Sequence, residues 1–178
     1  VDLLRYGAAV QQYMNYNVDN LVDAKLTAEQ ASYGTTECRP LTSVKEIVKN
    51  KNESTAQRKV ANLILKNNIA MKVSFVTEST SGLYVKVMDV NDNLISIITE
   101  DKFLQEFDIT GNRIVSVTFE GIKATGLSKI CKFEVFNSDG EQISDTLIYS
   151  AESYAYSKQN SENSLANLVR RLMMYGDS

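Results

Sequence analysis

Asp89, Asn91, Asn93 and Glu100 occupy positions 1, 3, 5 and 12 of the template for a calcium-binding loop. Oxygen ligands at that spacing wrap one hard cation, provided that a glycine at position 6 turns the chain and helices flank it. Here Leu94 stands at position 6 and the flanks alternate as strands do. The segment therefore reads as an Asx-rich hairpin turn. Glu100 with Asp101, and Glu106 with Asp108, have the composition of a glycosidase acid and base. That chemistry needs two carboxyl groups facing each other across a cleft. Neighbours on a strand point to opposite faces, while Glu106 and Asp108 would stand side by side on one face. All four read as solvated charges.

The chain has no histidine, so no Ser-His-Asp or Cys-His nucleophile, histidine metal triad or histidine pH switch can be assembled. Cys38 and Cys131 are too far apart for a CxxC redox motif or a zinc site. Cys131 alternates with Phe133 and Val135 and reads as a small core hydrophobe, Cys38 lies in a polar stretch, and both are expected to be free thiols. With 19 Lys+Arg against 22 Asp+Glu, the mild acidity argues against a nucleic-acid partner, which is bound by neutralising phosphates. No apolar run approaches the roughly 18–20 residues of a membrane span. No cofactor is expected. These exclusions leave binding and structural roles ahead of catalysis.

The elements that would position any site follow from the patterning. At 178 residues, 43% hydrophobic and 23% charged, the chain has the length and composition of one globular domain with a sizeable core. Leu3, Tyr6, Gly7, Val10, Tyr13 and Met14 repeat at helical spacing, which predicts a helix over residues 2–16. Thr27 with Gln30 is a capping-box pattern and Gly34 a stop, so 28–33 reads as a short helix. Residues 48–58 read as an exposed loop.

From residue 59 to 149 short alternating runs predominate, separated by Asn91-Asp92-Asn93, Thr110-Gly111-Asn112 and Ser138-Asp139-Gly140 turns. They predict an antiparallel β-sandwich of about seven or eight strands between Val60 and Tyr149. The tail returns to helix at 151–158 and 165–175, where Tyr154, Leu168 and Leu172 carry the apolar stripes. The expected class is mainly β with flanking α, the sandwich packed against a small bundle of N- and C-terminal helices. Its parts are N-terminal helices in 1–34, sandwich in 59–149 and C-terminal helices in 150–178.

Leu3-Leu4-Arg5-Tyr6-Gly7-Ala8-Ala9 matches Leu172-Met173-Met174-Tyr175-Gly176-Asp177-Ser178 at an offset of 169 positions. Each reads as two large apolar residues, one variable residue, Tyr-Gly, then two small or polar residues. The expectation is a parent chain that repeats this unit, with the last helix of one copy becoming the first of the next. Val1 leads straight into a helical pattern, consistent with a copy taken from a longer protein. Tyr6, Gly7, Val10, Tyr154, Leu168, Leu172, Tyr175 and Gly176 are then helix-packing residues. Nine tyrosines and no tryptophan leave Tyr33 and Tyr84 as the candidate ligand contacts.

The opening LLRYGAAVQQYMNYNVDNLVDAKLTAEQ resembles the "L-NYGAAAQ-YF-YN-D-LAN--LT-EQ" signature of a repeated module of large secreted and cell-surface proteins of gut and rumen Firmicutes. The closing TLIYSAESYAYSKQNSENSLANLVRRLMMYGDS resembles its other half, "Y-YS--SYAY-----S----LVKAL--YG-A". The two signatures cover about 60 of 178 residues. Arg5 departs from the usual Asn, and Cys38 and Cys131 are outside the pattern. The resemblance implies a β-sandwich with flanking helices on a multi-modular extracellular protein, beside carbohydrate-active, dockerin-type or adhesin-like modules. It supplies no catalytic residues.

Three roles compete on these grounds. A non-catalytic adhesion module for a host protein, immunoglobulin included, predicts a contiguous exposed apolar or Tyr-bearing patch. A carbohydrate-binding module predicts coplanar aromatics on one sheet face or in a loop groove. A spacer in a repeat array predicts neither, and only contacts with adjacent modules of the same chain. The isolated module is expected to be a monomer, and an enzyme is the least favoured reading.

Overall fold

The computed structural model describes residues 2–14, 39–65, 68–160 and 164–178. The expected 28–33 helix with its cap, Tyr33, Cys38, the end of the 2–16 helix and Lys66-Asn67 lie outside the described residues. What is described falls into two compact units, one from residues 44–122 and 129–151, the other from 1–43, 123–128 and 152–178.

The first unit is an antiparallel β-sandwich of nine strands. They are β1 (Glu46–Val48), β2 (Gln57–Leu65), β3 (Ile69–Val76), β4 (Tyr84–Met88), β5 (Leu94–Thr99), β6 (Leu104–Phe107), β7 (Arg113–Ile122), β8 (Cys131–Phe136) and β9 (Thr146–Tyr149). One sheet runs β1-β9-β8-β4-β5 and the other β2-β3-β7-β6. Alternation does the sorting. Val73, Phe75, Val115 and Val117 of one sheet, and Val85, Val87, Phe133, Val135 and Leu147 of the other, are buried between the layers. Phe119 meets Phe133 edge to face across them at 6.2 Å. Each fully buried side chain of this size contributes about 1.5–3 kcal/mol.

The departures from the expected strands have physical causes. β1 is an additional strand, and its three residues are all exposed on a sheet edge, so it carries no burial alternation to read. β6 is shorter than the expected 103–109, because Phe103 turns inward to meet Phe75 at 6.0 Å and Asp108 opens a turn. The expected run 142–149 pairs continuously only from Thr146, with single bridges at Gln142 and Ser144. The loop expected over 48–58 runs over 49–56, because Val48 belongs to β1 and Gln57 opens β2; most of it is exposed, and it is pinned. The Asp145 carboxylate accepts hydrogen bonds from Lys49 Nζ (2.7 Å), Asn50 N (3.0 Å) and Ser54 Oγ (2.8 Å).

The second unit contains α1 (Asp2–Tyr13), most of α2 (Ala151–Lys158), α3 (Ser164–Asp177) and a 3-10 turn at Ala124–Gly126. α3 buries Leu168, Val169, Leu172 and Met173 on one stripe. α1 packs along α3, with Tyr6 stacked on Tyr175 at 5.8 Å and 10° between ring planes. The buried Glu152 carboxylate ties the unit together. It accepts hydrogen bonds from Arg39 Nη1 (2.5 Å) and Nη2 (2.9 Å), from Thr42 N (2.9 Å) and from Thr42 Oγ1 (3.2 Å). Arg39 also reaches Asp177 at 3.1 Å. Among the described residues, no helix is long and apolar enough to cross a membrane.

Candidate interaction surface

Three hairpins of the sandwich are closed by the same five-residue turn, at Asp89–Asn93, Asp108–Asn112 and Asn137–Glu141. In each, the first residue donates its N–H to the fifth carbonyl at 3.0 Å and accepts the fourth N–H on its own carbonyl. The first side chain, through Oδ1, then accepts the N–H groups of the third and fifth residues at 2.8–3.0 Å. This is an Asx turn with the fourth residue left-handed, at φ 64° for Asp92, 85° for Gly111 and 79° for Gly140. The hydrogen bond from the Asn93 side chain, more than any other contact, holds the Asp89 carboxyl below its ordinary value.

The calcium template is thereby dismantled. Asp89 is spent on its own turn, and the six residues of β5 carry Glu100 roughly 20 Å away at about 3.4 Å per residue. Glu100 lies in a 3-10 turn with Asp101 and Lys102, so the strand geometry expected for Glu100 and Asp101 does not hold. Nor are Glu100 and Asp108 merely solvated. Glu100 accepts hydrogen bonds from Thr80 Oγ1 (2.9 Å) and Gly82 N (3.0 Å), and Asp108 holds the β6–β7 turn. Asp101 bonds the Thr99 hydroxyl and Lys102.

The β6–β7 hairpin carries the three most exposed large apolar side chains among the described residues, Leu104, Phe107 and Ile109. Among the described residues β6 is the outer strand of its sheet, paired with β7 alone. Its four residues are all exposed. Leu104 faces the same side as Ser116, its register partner, while Phe107 shares the opposite side with Arg113. Phe107 is 66% exposed, and Ile109, at the braced tip of the turn, is wholly exposed. The Arg113 guanidinium lies 5.6 Å over the Phe107 ring, and its Nε is buried with no hydrogen-bond partner among the described residues. Beside it is a surface hollow of about 440 Å³, bounded also by Gln57, Thr77, Glu78 and Asn112. Leu94 and Ile97 of β5 are exposed as well, but Ile97 lies beside Thr118, Phe119 and Glu120 at the far end of β7 from Arg113. Aromatic, aliphatic and arginine side chains on a rigid hairpin have the composition of an interface centre.

Tyr84 lies on the outer face of the other sheet, but not as a flat platform. It stacks on Phe136 at 5.5 Å and 13°, and Lys86 Nζ sits 4.2 Å over the Phe136 ring. Ring faces that a sugar would need are turned on each other and on a cation. The helix-packing residues lie together in the helical unit. Leu168 and Leu172 are buried, Val10, Tyr154 and Tyr175 half-buried, and burial pushes the Tyr6 and Tyr154 hydroxyls up. Gly176 backs onto the 124–127 turn, whereas Gly7 faces open space among the described residues. Cys131 is a buried free thiol whose pKa burial raises.

Leu104, Phe107, Ile109 and Arg113 were not singled out by sequence reasoning. One signal was present: Leu104 and Phe107 are three apart on a strand, so they point to opposite faces and cannot both enter the core. No protein-family model matches the chain, and no curated protein or solved structure does.

Proposed function

We propose that this chain is a non-catalytic binding module of a bacterial cell-surface or secreted protein, and that its partner is a host protein, immunoglobulin being one candidate. The observation that carries the reading is the β6–β7 hairpin, with Leu104 and Phe107 exposed on an outer strand and Ile109 exposed in the turn that follows it. Edge strands are ordinarily blunted by charge, bulges or cover, and in β6 only Glu106 serves that purpose. An exposed edge offers unpaired backbone groups to an incoming strand, and flanking apolar side chains add burial. Burying Phe107 and Ile109 would supply about 1.5–3 kcal/mol each. A glycan partner is less well supported, because Tyr84 and Phe136 occupy each other's faces.

The test is a parallel screen of the purified chain on a glycan array and against serum and mucosal proteins, immunoglobulins included. Saturable binding to a protein with silence on glycans is the expected outcome. Glycan binding alone would replace this reading with the carbohydrate module, and silence in both with the spacer.

A further inference from the structure

The heptapeptides 3–9 and 172–178 match in sequence and also meet in space, since the equivalent Tyr6 and Tyr175 stack on each other. Their surroundings differ. Leu172 and Met173 are 1% and 2% exposed, while their counterparts Leu3 and Leu4 are 55% and 38% exposed. The glycines differ in the same sense. A Cβ on Gly176 would stand 2.2 Å from the Ala124 carbonyl oxygen and 3.0 Å from Leu127 Cδ1, so only glycine lets α3 lie against that turn. At Gly7, no atom of the described residues lies within 4 Å of the same position. Glycine inside a helix is less stable than alanine there, and nothing among the described residues offsets that cost at Gly7.

We infer that the open side of α1 is an unfilled copy of the seat that α3 fills, and that its occupant is a second copy of this fold immediately N-terminal in a tandem chain. α1 would serve as that copy's last helix, with Leu3 and Leu4 entering its core and Gly7 lying against its 124–127 turn. The occupant is a copy because the face repeats the α3 sequence, and the turn that fits this face belongs to the fold itself. A separate folded chain cannot fill the seat, since its own Gly176 already covers its turn. Each shared helix would then stack on the next, as Tyr6 does on Tyr175, giving a semi-rigid array.

The test joins residues 1–171 directly to residues 3–178 of a second copy, so that one helix serves both. Both sandwiches should fold, and the first copy should melt no lower than the single chain. Gly7→Ala should leave the single chain's Tm unchanged or slightly raised, yet lower the melting of the first copy in the tandem chain by roughly 5 °C. Leu3→Ser with Leu4→Ser should show the same contrast. A first copy that melts well below the single chain, or substitutions that act alike in both settings, would overturn the proposal.

Discussion

Gly176→Ala puts one methyl group where α3 passes the 124–127 turn. Its Cβ would lie 2.2 Å from the Ala124 oxygen and 3.0 Å from the Ala124 carbonyl carbon. An ordinary carbon–oxygen contact is about 3.3 Å, so helix and turn must separate by roughly 1 Å. The obstacle is backbone, which cannot swing aside as a side chain would. Overpacking of this kind costs about 1–3 kcal/mol. Alanine's better helix propensity returns at most about 1 kcal/mol, and less in a last turn that frays. The net is about 1–2 kcal/mol of destabilisation, or a Tm lower by roughly 2–8 °C for a chain of this size. Gly7→Ala meets no such obstacle among the described residues and should raise Tm by roughly 1–3 °C. Thermal unfolding followed by helical circular dichroism compares the two directly. If Gly176→Ala is tolerated as well as Gly7→Ala, the close approach of α3 to the turn is not as described.

Leu168→Ala removes a side chain 1% exposed and should cost about 2–5 kcal/mol by denaturant titration; native-like stability would mean that α3 is not docked. Glu152→Ala strands Arg39 beside Asp177 and removes the acceptor of Thr42 N, for a loss of about 2–4 kcal/mol, with Glu152→Gln losing less. Lys49, through its hydrogen bond, together with Asn50 and Ser54 holds the Asp145 carboxyl down to about 2. Its folded value is below its unfolded one, so its stabilisation is present above about pH 4 and is lost as pH falls towards 2. Asp145→Asn should flatten that part of the acid-melting curve, and an unchanged acid limb would show that the group does not contribute.

Much of the sandwich was legible because its core strands alternate and its turns carry their own chemistry. Val73, Phe75, Val115 and Val117 recur every second residue, and the Asn/Asp/Gly clusters at 91–93, 110–112 and 138–140 fall where the chain reverses. β1 was not legible, because a three-residue exposed edge strand buries nothing that could impose a period. Glu100 and Asp108 read as solvated charges because their partners are backbone N–H and threonine hydroxyl groups, which no charge pattern reveals. The two Leu/Met-x-Tyr-Gly motifs are alike in sequence, and only the position of the Ala124 carbonyl separates a glycine that is required from one that is not. The interaction surface was the least legible part. Whether Phe107 enters the core depends on where β6 ends, and that is set by Asp108, whose side chain caps the turn by accepting from Thr110, two residues on.

The central claim is that the β6–β7 hairpin engages a protein. The most direct measurement compares the chain with its Phe107→Ser/Ile109→Ser variant on a sensor surface carrying immunoglobulin, or whichever protein the screen returns. Both side chains are exposed, so the variant should keep the parent's Tm, which is checked first. Losing about 1.5–3 kcal/mol from each side chain predicts binding weaker by at least about a hundredfold. Equal affinity of the two proteins would contradict the account and move the binding surface elsewhere on the module.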